Sequence, residues 1–356
     1  MNYEHTIIVA LIVFPLIAFL FTLPYIIYNY HRYGAISAIR TIIIYSFILY
    51  LICAYFLIIL PLPSPSYVAT LTTPKMQLLP FNFINDFISK SGFILNDFST
   101  YLPALKSQAF YQPVFNIVLT IPFGIYLHYY YHCNLLKTII YSFLLSLFFE
   151  LTQLTGLYFL YPRSYRLFDV DDLFFNTLGG LCGYYVGNIF IKLLPSKETI
   201  DLNSYEKSKV VSGVRKLVAA LIDYFIFIII CFIFKYFHLC NFLMLIIILS
   251  FIYYTILPII FHNATIGNHI VNIKVIAENN HQFNVFISLV CHDILFVIIP
   301  FTLIYFVVNY SNIGLILMLI YFIYLLIAFF KLLLNKKLLY EKKMQTKIVS
   351  TLKIND

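Results

Sequence analysis

Tryptophan is absent from all 356 residues, and Asp, Glu, Lys and Arg together supply only 11% of them. Soluble globular chains carry roughly 25% charged residues. With 62% of residues apolar and a mean hydropathy of +0.90, an ordinary soluble fold is excluded. So few polar side chains cannot cover so much apolar surface, whereas a bilayer solvates it directly. The missing tryptophan leaves the 31 tyrosines to form the aromatic belt at the membrane interfaces. Metal and redox chemistry have little to stand on. Cys53, Cys133, Cys182, Cys231, Cys240 and Cys291 form no C-x-x-C pair and fall in or beside apolar runs. They read as small apolar residues, with no metal site and no cofactor expected.

What is present is a series of apolar runs of the length that a hydrocarbon core of about 30 Å demands. They lie at about 6–28, 40–60, 113–131, 138–160, 172–194, 214–234, 242–261, 286–308 and 312–334. The expected fold is an all-α polytopic transmembrane bundle of about nine spans. The first run lacks a basic leader (Glu4 and His5 precede it) and is too long for a signal peptide, so it reads as an uncleaved helix. Of the 23 Lys and Arg residues, 17 fall on one side of this arrangement and 6 on the other. The positive-inside rule then puts the N-terminus outside and the C-terminus in the cytoplasm of a bacterial cytoplasmic membrane. The net charge of +8 is largely this asymmetry and points to anionic inner-leaflet lipid, not to nucleic acid.

One polar break, 195–213, reads as a cytoplasmic linker between a five-helix domain (1–194) and a four-helix domain with a basic tail (214–356). The tail carries Lys336, Lys337, Lys342, Lys343, Lys347 and Lys353. The longest aqueous piece is the extracellular segment 61–112. Within it Ile84, Phe87 and Ile88 share one helical face, with Asp86 and Lys90 off it, as expected of a helix lying on the membrane surface. In 265–285, residues 270–276 alternate at a period of two and Glu278, Asn279 and Asn280 supply turn chemistry. That pattern predicts a small cytoplasmic β-hairpin.

The chemically unusual residues sit in spans four and five. Glu150 lies near mid-span, where a carboxylate costs roughly 2.5–3.5 kcal/mol to insert. It must face the bundle, and Gln153, three residues on, shares its face. Two readings stay open: structural hydrogen bonding between helices, or a functional group. Beyond it, Asp172, Asn176, Gly179, Gly183 and Gly187 are spaced by 4, 3, 4 and 4 and form one stripe. The three glycines are overlapping G-x-x-x-G motifs that admit a close neighbouring helix. Packing of this stripe on span four would bring Asp172 and Asn176 toward Glu150 and Gln153. Arg163 and Arg166 in the preceding loop are expected to pair with Asp169, Asp171 or Asp172, or to bind an anionic group.

The string Glu150-Leu151-x-Gln153, then Arg166 to Asp172 (RLFDVDD), then Asn176 to Gly183 (NTLGGLCG), resembles the VanZ-like family over roughly 1–195. Asn116, Pro122 and Gly124 resemble that family's preceding helix. The resemblance implies a bacterial envelope protein linked to resistance to the glycopeptide teicoplanin, with a glycopeptide or a lipid-linked cell-wall precursor as its partner. Glu150, Gln153, Arg166, Asp169, Asp172 and Asn176 form the candidate functional cluster. The second domain resembles the RDD family through Arg215, Ala219 and Asp223, the TIGNHIVNIKV segment with Gly267, and Glu341 where that family has an aspartate. Asp293 lies in span eight at a depth comparable to Asp223, where a shared proton, a cation or His292 could link the two. Two alternatives remain at this stage: a secondary transporter using Asp223, Asp293 and Glu150 as coupling groups, and a membrane enzyme acting on a phosphorylated lipid through Glu150, Asp172 and Arg166.

Overall fold

The computed structural model describes residues 3–236, 242–279, 281–309 and 311–352. Cys240, Asn280 and Lys353 lie outside them. The chain is an all-α polytopic bundle, and contacts divide it into two units: Met1–Leu20 with Ile39–Ile200, and Phe21–Ala38 with Asp201–Asp356. The sequence assigns all of 1–194 to one domain, yet by contacts Phe21–Ala38 belongs with the second unit. Among the described residues eight helices are long and apolar enough to cross a membrane.

The long first helix, α1 (Tyr3–Tyr33), contributes to both units. The first unit continues with α2 (Ala38–Ile59), strand β1 (Met76–Gln77), α3 (Asn82–Lys90), α4 (Gln108–Tyr129), α5 (Leu135–Leu154), strand β2 (Phe168–Asp169) and α6 (Val170–Leu193). Four of the eight crossing helices are α1, α2, α4 and α5. The fifth span read from sequence is α6. It reaches the required length but not the apolarity, because Asn176, Asn188, Tyr184, Tyr185 and four glycines dilute it. Asn176 and the glycines suit a helix face packed against protein, while Tyr185 and Asn188 are exposed. Asn176, Gly179, Gly180, Gly183 and Gly187 are all buried, and α6 packs between α4 and α5.

The polarity of this unit is inverted relative to a soluble fold. Thr138, Ser142, Ser146, Glu150 and Gln153 repeat every three or four residues along α5 and are all buried. Leu16, Phe19 and Leu20 of α1 are mostly exposed. Small and hydroxylic residues line the helix contacts, and large apolar residues face outward to lipid. The segment between α2 and α4 contains the surface helix expected there. In α3, Asp86 and Lys90 pair at 2.8 Å, while Ile84 and Ile88 are exposed. Leu79, Leu95 and Phe98 of the same segment are more than two-thirds exposed, a large apolar area for a lipid surface to cover.

The second unit contains α7 (Lys197–Ser208), most of which belongs here, α8 (Gly213–Tyr236), α9 (Leu243–Ile260) and the short α10 (Ile266–Ile270). It continues through β3 (Ile273–Ala277), α11 (Gln282–Val307), α12 (Ser311–Leu333), α13 (Leu339–Lys343) and β4 (Thr346–Ser350). Residues 251–256 of α9 and 294–298 of α11 wind as π-helix. In α9 the wider turn accompanies the burial of three consecutive residues, Tyr253, Tyr254 and Thr255.

The hairpin expected within 265–285 does not form. One strand is there, β3, and its antiparallel partner is β4, with Val275 opposite Ile348. The alternating pattern is a strand only from Ile273, since Ile270 ends α10; the residues after the turn enter α11, so pairing falls to the β-branched TKIVS run in the basic tail. The ladder continues beyond both strands, with Glu278 N donating to Gln345 O and Thr351 N to Asn272 O. On its other edge Val275 N donates to Asn263 O at 3.0 Å. A chain ending at Gln345 is therefore expected to lose amide protection at Lys274 and Ile276, which alternation aims at β4, at about 1 kcal/mol per bond. Val275 keeps its partner. Hydrogen exchange that left Lys274 and Ile276 protected would contradict this pairing.

Candidate functional site

The polar cluster of the first unit is assembled by the loop between α5 and α6. Arg166 donates from Nη1 to Ile58 O at 2.5 Å and from Nη2 to Leu60 O at 2.6 Å. Gln153 Nε2 adds a bond to Ile58 O at 3.2 Å, and Tyr165 OH one to Ile59 O at 3.1 Å. Burial pushes the Tyr165 hydroxyl up to about 12, so it is a donor at any physiological pH. These donors satisfy the last carbonyls of α2, which have no partner within their own helix. Arg163 does the same one loop further out, donating to Leu71 O and Thr73 O. Both arginines bind main-chain carbonyls, which a loop enclosed by protein leaves in need of donors.

The three aspartates have separate roles. Asp169 caps α6 by accepting from Asp171 N at 2.9 Å, while its own N–H donates to Glu150 Oε2 at 3.0 Å. Burial raises the Asp169 carboxyl above the ordinary aspartate range, and the capping bond opposes that shift. Asp171 is buried and accepts from Phe81 N at 2.6 Å and Phe83 N at 2.9 Å, fixing the start of α3. The parallel pairing of β1 with β2 holds the same junction, and the rings of Phe83 and Phe175 meet edge-on at 4.8 Å. Asp172 turns inward and accepts from Asn116 Nδ2 of α4 at 2.6 Å. Asn176, one turn below, donates to Ser146 Oγ of α5 at 2.9 Å, and its carbonyl accepts from Thr120 Oγ1 of α4 at 2.7 Å.

Glu150, Gln153, Arg166, Asp172 and Asn176 all line one cavity of about 290 Å³. Asp169 is not among its lining residues and serves the helix cap. Sequence reasoning left Asn116 out of the cluster and overlooked Gln108, Tyr111 and Gln112, which extend the polar wall along the start of α4. A signal existed for the α4 residues: Gln108, Gln112 and Asn116 recur every four residues. The wall opposite is apolar, with Leu57, Ile58, Phe115 and Leu167. The cavity thus combines two carboxyl groups, several amides and one guanidinium edge with an apolar side. Such a lining suits a ligand that carries hydroxyl, amide or amino groups on an apolar body. Among the described residues no group of three His, Cys, Asp or Glu is placed to hold a metal ion.

Residues 47–192, from within α2 to the end of α6, match the VanZ/LLP1 family, and residues 211–340 match the RDD family. The chain joins a VanZ-like segment to an RDD-family segment. No curated protein and no solved structure matches it. It is a multi-pass membrane protein of the cell envelope.

In the RDD-family unit Arg215, Ala219 and Asp223 recur every four residues along α8, and all three reach the segment 265–272. Arg215 is fully buried and donates to Val271 O and Asn272 O at 2.8 Å, to Ser208 O at 3.2 Å and to Ser350 Oγ at 3.3 Å. The carbonyl of Ala219 lies so near Gly267 that a Cβ there would sit 2.2 Å from it. Asp223 accepts from Tyr253 OH at 2.8 Å, Thr265 Oγ1 at 2.6 Å and Gly267 N at 2.7 Å. Glu341 accepts from Leu338 N at 2.7 Å and closes the start of α13. Asp223 and Asp293 share no direct hydrogen bond among the described residues. Asp293 lies beside Ser250, whose hydroxyl donates to Ile247 O at 3.1 Å. His292 packs its ring against Tyr254 and Phe296.

Proposed function

We propose that the VanZ-like unit handles an amphiphilic or lipid-linked ligand at the outer leaflet and so contributes to protection against glycopeptides of the teicoplanin type. The observation that carries this reading is the cavity shared by Glu150, Gln153, Arg166, Asp172 and Asn176. Its polar wall suits the sugar and peptide groups of such a ligand, and its apolar wall suits the lipid or acyl part. The apolar side chains exposed along the segment between α2 and α4 support placement against a lipid surface.

In this reading the protein sits in a bacterial cytoplasmic membrane with its N-terminus outside and its C-terminus inside. The eight apolar helices are joined by α6 as a ninth crossing: 24 residues at 1.5 Å each give about 36 Å, enough for the hydrocarbon core. Its Asn176 and its four glycines are buried against α4 and α5. The basic end of the RDD-family unit then faces anionic inner-leaflet lipid.

Expression in a teicoplanin-sensitive host is expected to raise the inhibitory concentration of teicoplanin. Glu150→Gln and Asp172→Asn are each expected to remove most of that increase. Loss of a hydrogen bond to a charged group costs about 1.5–3 kcal/mol, or roughly 10–100-fold in affinity. Equal membrane levels of the variants, checked by immunoblot, make the comparison fair. Full protection by both variants would overturn the site, and no protection by the unaltered chain would overturn the function.

A further inference from the structure

The RDD-family unit contains a second and larger cavity, of about 470 Å³, bounded by α8, α11, α12 and the β3–β4 sheet. That volume lies within the roughly 300–1,000 Å³ of small-molecule sites. Its inner part is aromatic and aliphatic, with Tyr224, Tyr254, Phe296 and Phe329 among its walls. Its polar end is cationic: Lys336 and Lys347 are exposed, and Lys216 is partly so.

The acids that also line this cavity do not answer those lysines. Asp223 is held by Tyr253, Thr265 and Gly267, and Glu341 by Leu338 N. Among the described residues none of the three lysines makes an ion pair within 4.0 Å. Three lysines therefore line one largely apolar cavity with no carboxylate paired to them; Glu278, which is bound to Lys337, acts on Lys347 only at longer range. Like charges so placed repel one another, and an anion between them removes that repulsion. Asp223 at the inner wall disfavours an anion deeper in, so a ligand's charge belongs at the mouth and its apolar part inside.

We propose that this cavity binds a single-chain amphiphile with an anionic phosphate or carboxylate head, the head among Lys216, Lys336 and Lys347 and the chain against Tyr224, Tyr254 and Phe296. The site is separate from the VanZ-like cavity, and it stands whether or not that cavity handles glycopeptides. Lysine suits this task because it acts as a mobile point charge that tolerates different heads. An alkyl chain in the cavity is also shielded from water by the apolar walls.

The test uses the full chain purified in an uncharged maltoside detergent, with native mass spectrometry reading bound adducts. Dodecyl phosphate, dodecyltrimethylammonium and inorganic phosphate are titrated separately. Dodecyl phosphate is expected to bind, dodecyltrimethylammonium not to bind, and inorganic phosphate to bind at least about 100-fold more weakly because it lacks the buried chain. The triple variant Lys216→Gln, Lys336→Gln, Lys347→Gln is expected to weaken dodecyl phosphate by about 10-fold or more. Ala328→Phe, which fills the cavity from α12, is expected to abolish it. Unchanged affinity in the triple variant, equal binding of the cationic amphiphile, or inorganic phosphate binding as tightly as dodecyl phosphate would each overturn the proposal. If Ala328→Phe does not fold, the triple variant decides, since it alters only exposed or partly exposed side chains.

Discussion

Gly183→Ala is expected to disrupt the packing of the VanZ-like unit severely. A Cβ at Gly183 would lie 2.1 Å from Ile121 O and 2.9 Å from Gly124 Cα. Both are main-chain atoms of α4, so no side-chain rotation relieves the clash, and the helices themselves must separate. The contact is reciprocal, since a Cβ at Gly124 would lie 2.1 Å from Gly180 O. Overpacking typically costs 1–3 kcal/mol, and a backbone collision belongs at or above the top of that range, about 3 kcal/mol or more. Gly187 is the internal control. There the nearest atom is His128 Cδ2 at 3.1 Å, the side chain of a residue that can shift. Gly187→Ala is therefore expected to cost a third as much or less. Separation of α6 from α4 also breaks the bond from Asn116 to Asp172, so Gly183→Ala should lose any ligand binding along with stability. Thermal unfolding in detergent checks the order, and equal midpoints for the two variants would refute the close approach.

That glycine stripe illustrates how far the sequence could be read. The spacing of Gly179, Gly183 and Gly187 announces that some helix comes close, but not which one. Span four is the natural guess because Glu150 lies on it. In the structure the stripe meets α4, at Ile117, Thr120, Ile121 and Gly124. Gly180, outside the stripe, faces Ser142 of α5. The wedge of α6 between two helices brings Asp172 and Asn176 to the cavity from one side and Glu150 and Gln153 from the other.

The arginines were harder to place, because opposite charges in one loop suggest mutual pairing. The competing demand, the bare carbonyls ending α2, appears only when that helix end is brought beside the loop, about 100 residues away along the chain. Asp171 is a similar case: its partners are two main-chain amides at the start of α3, and amides leave no trace in composition. The β3 alternation was legible, but its partner lies some 70 residues on, inside a run that reads as a basic tail. Local periodicity reports a strand's own shape and which of its faces is buried, and it is silent on distant pairing.

In the RDD-family unit, Asp223→Leu is expected to be as damaging as Gly183→Ala is in the other, by a different physical route. Leucine has the same number of side-chain heavy atoms as aspartate in the same branched arrangement, but its methyl groups can neither accept hydrogen bonds nor approach the donors as closely as the 2.6–2.8 Å of the present contacts. Tyr253 OH, Thr265 Oγ1 and Gly267 N all aim at this carboxylate, and each is left unpaired when it goes. A buried donor without an acceptor costs about 1–3 kcal/mol, which puts the loss at about 3 kcal/mol or more. Asn distinguishes this account from one in which the negative charge itself is essential. Tyr253 and Gly267 share Oδ1, which Asn retains as an acceptor, so two of the three bonds survive. At the second position the Asn amide faces Thr265, whose hydroxyl accepts it but must then give up its own acceptor. Asp223→Asn should therefore cost roughly one bond, about 1 kcal/mol, and stay folded. Thermal unfolding of the two variants in detergent settles the matter: equal destabilisation by Asn and Leu would mean that the charge, and not the acceptor geometry, holds segment 265–272 on α8.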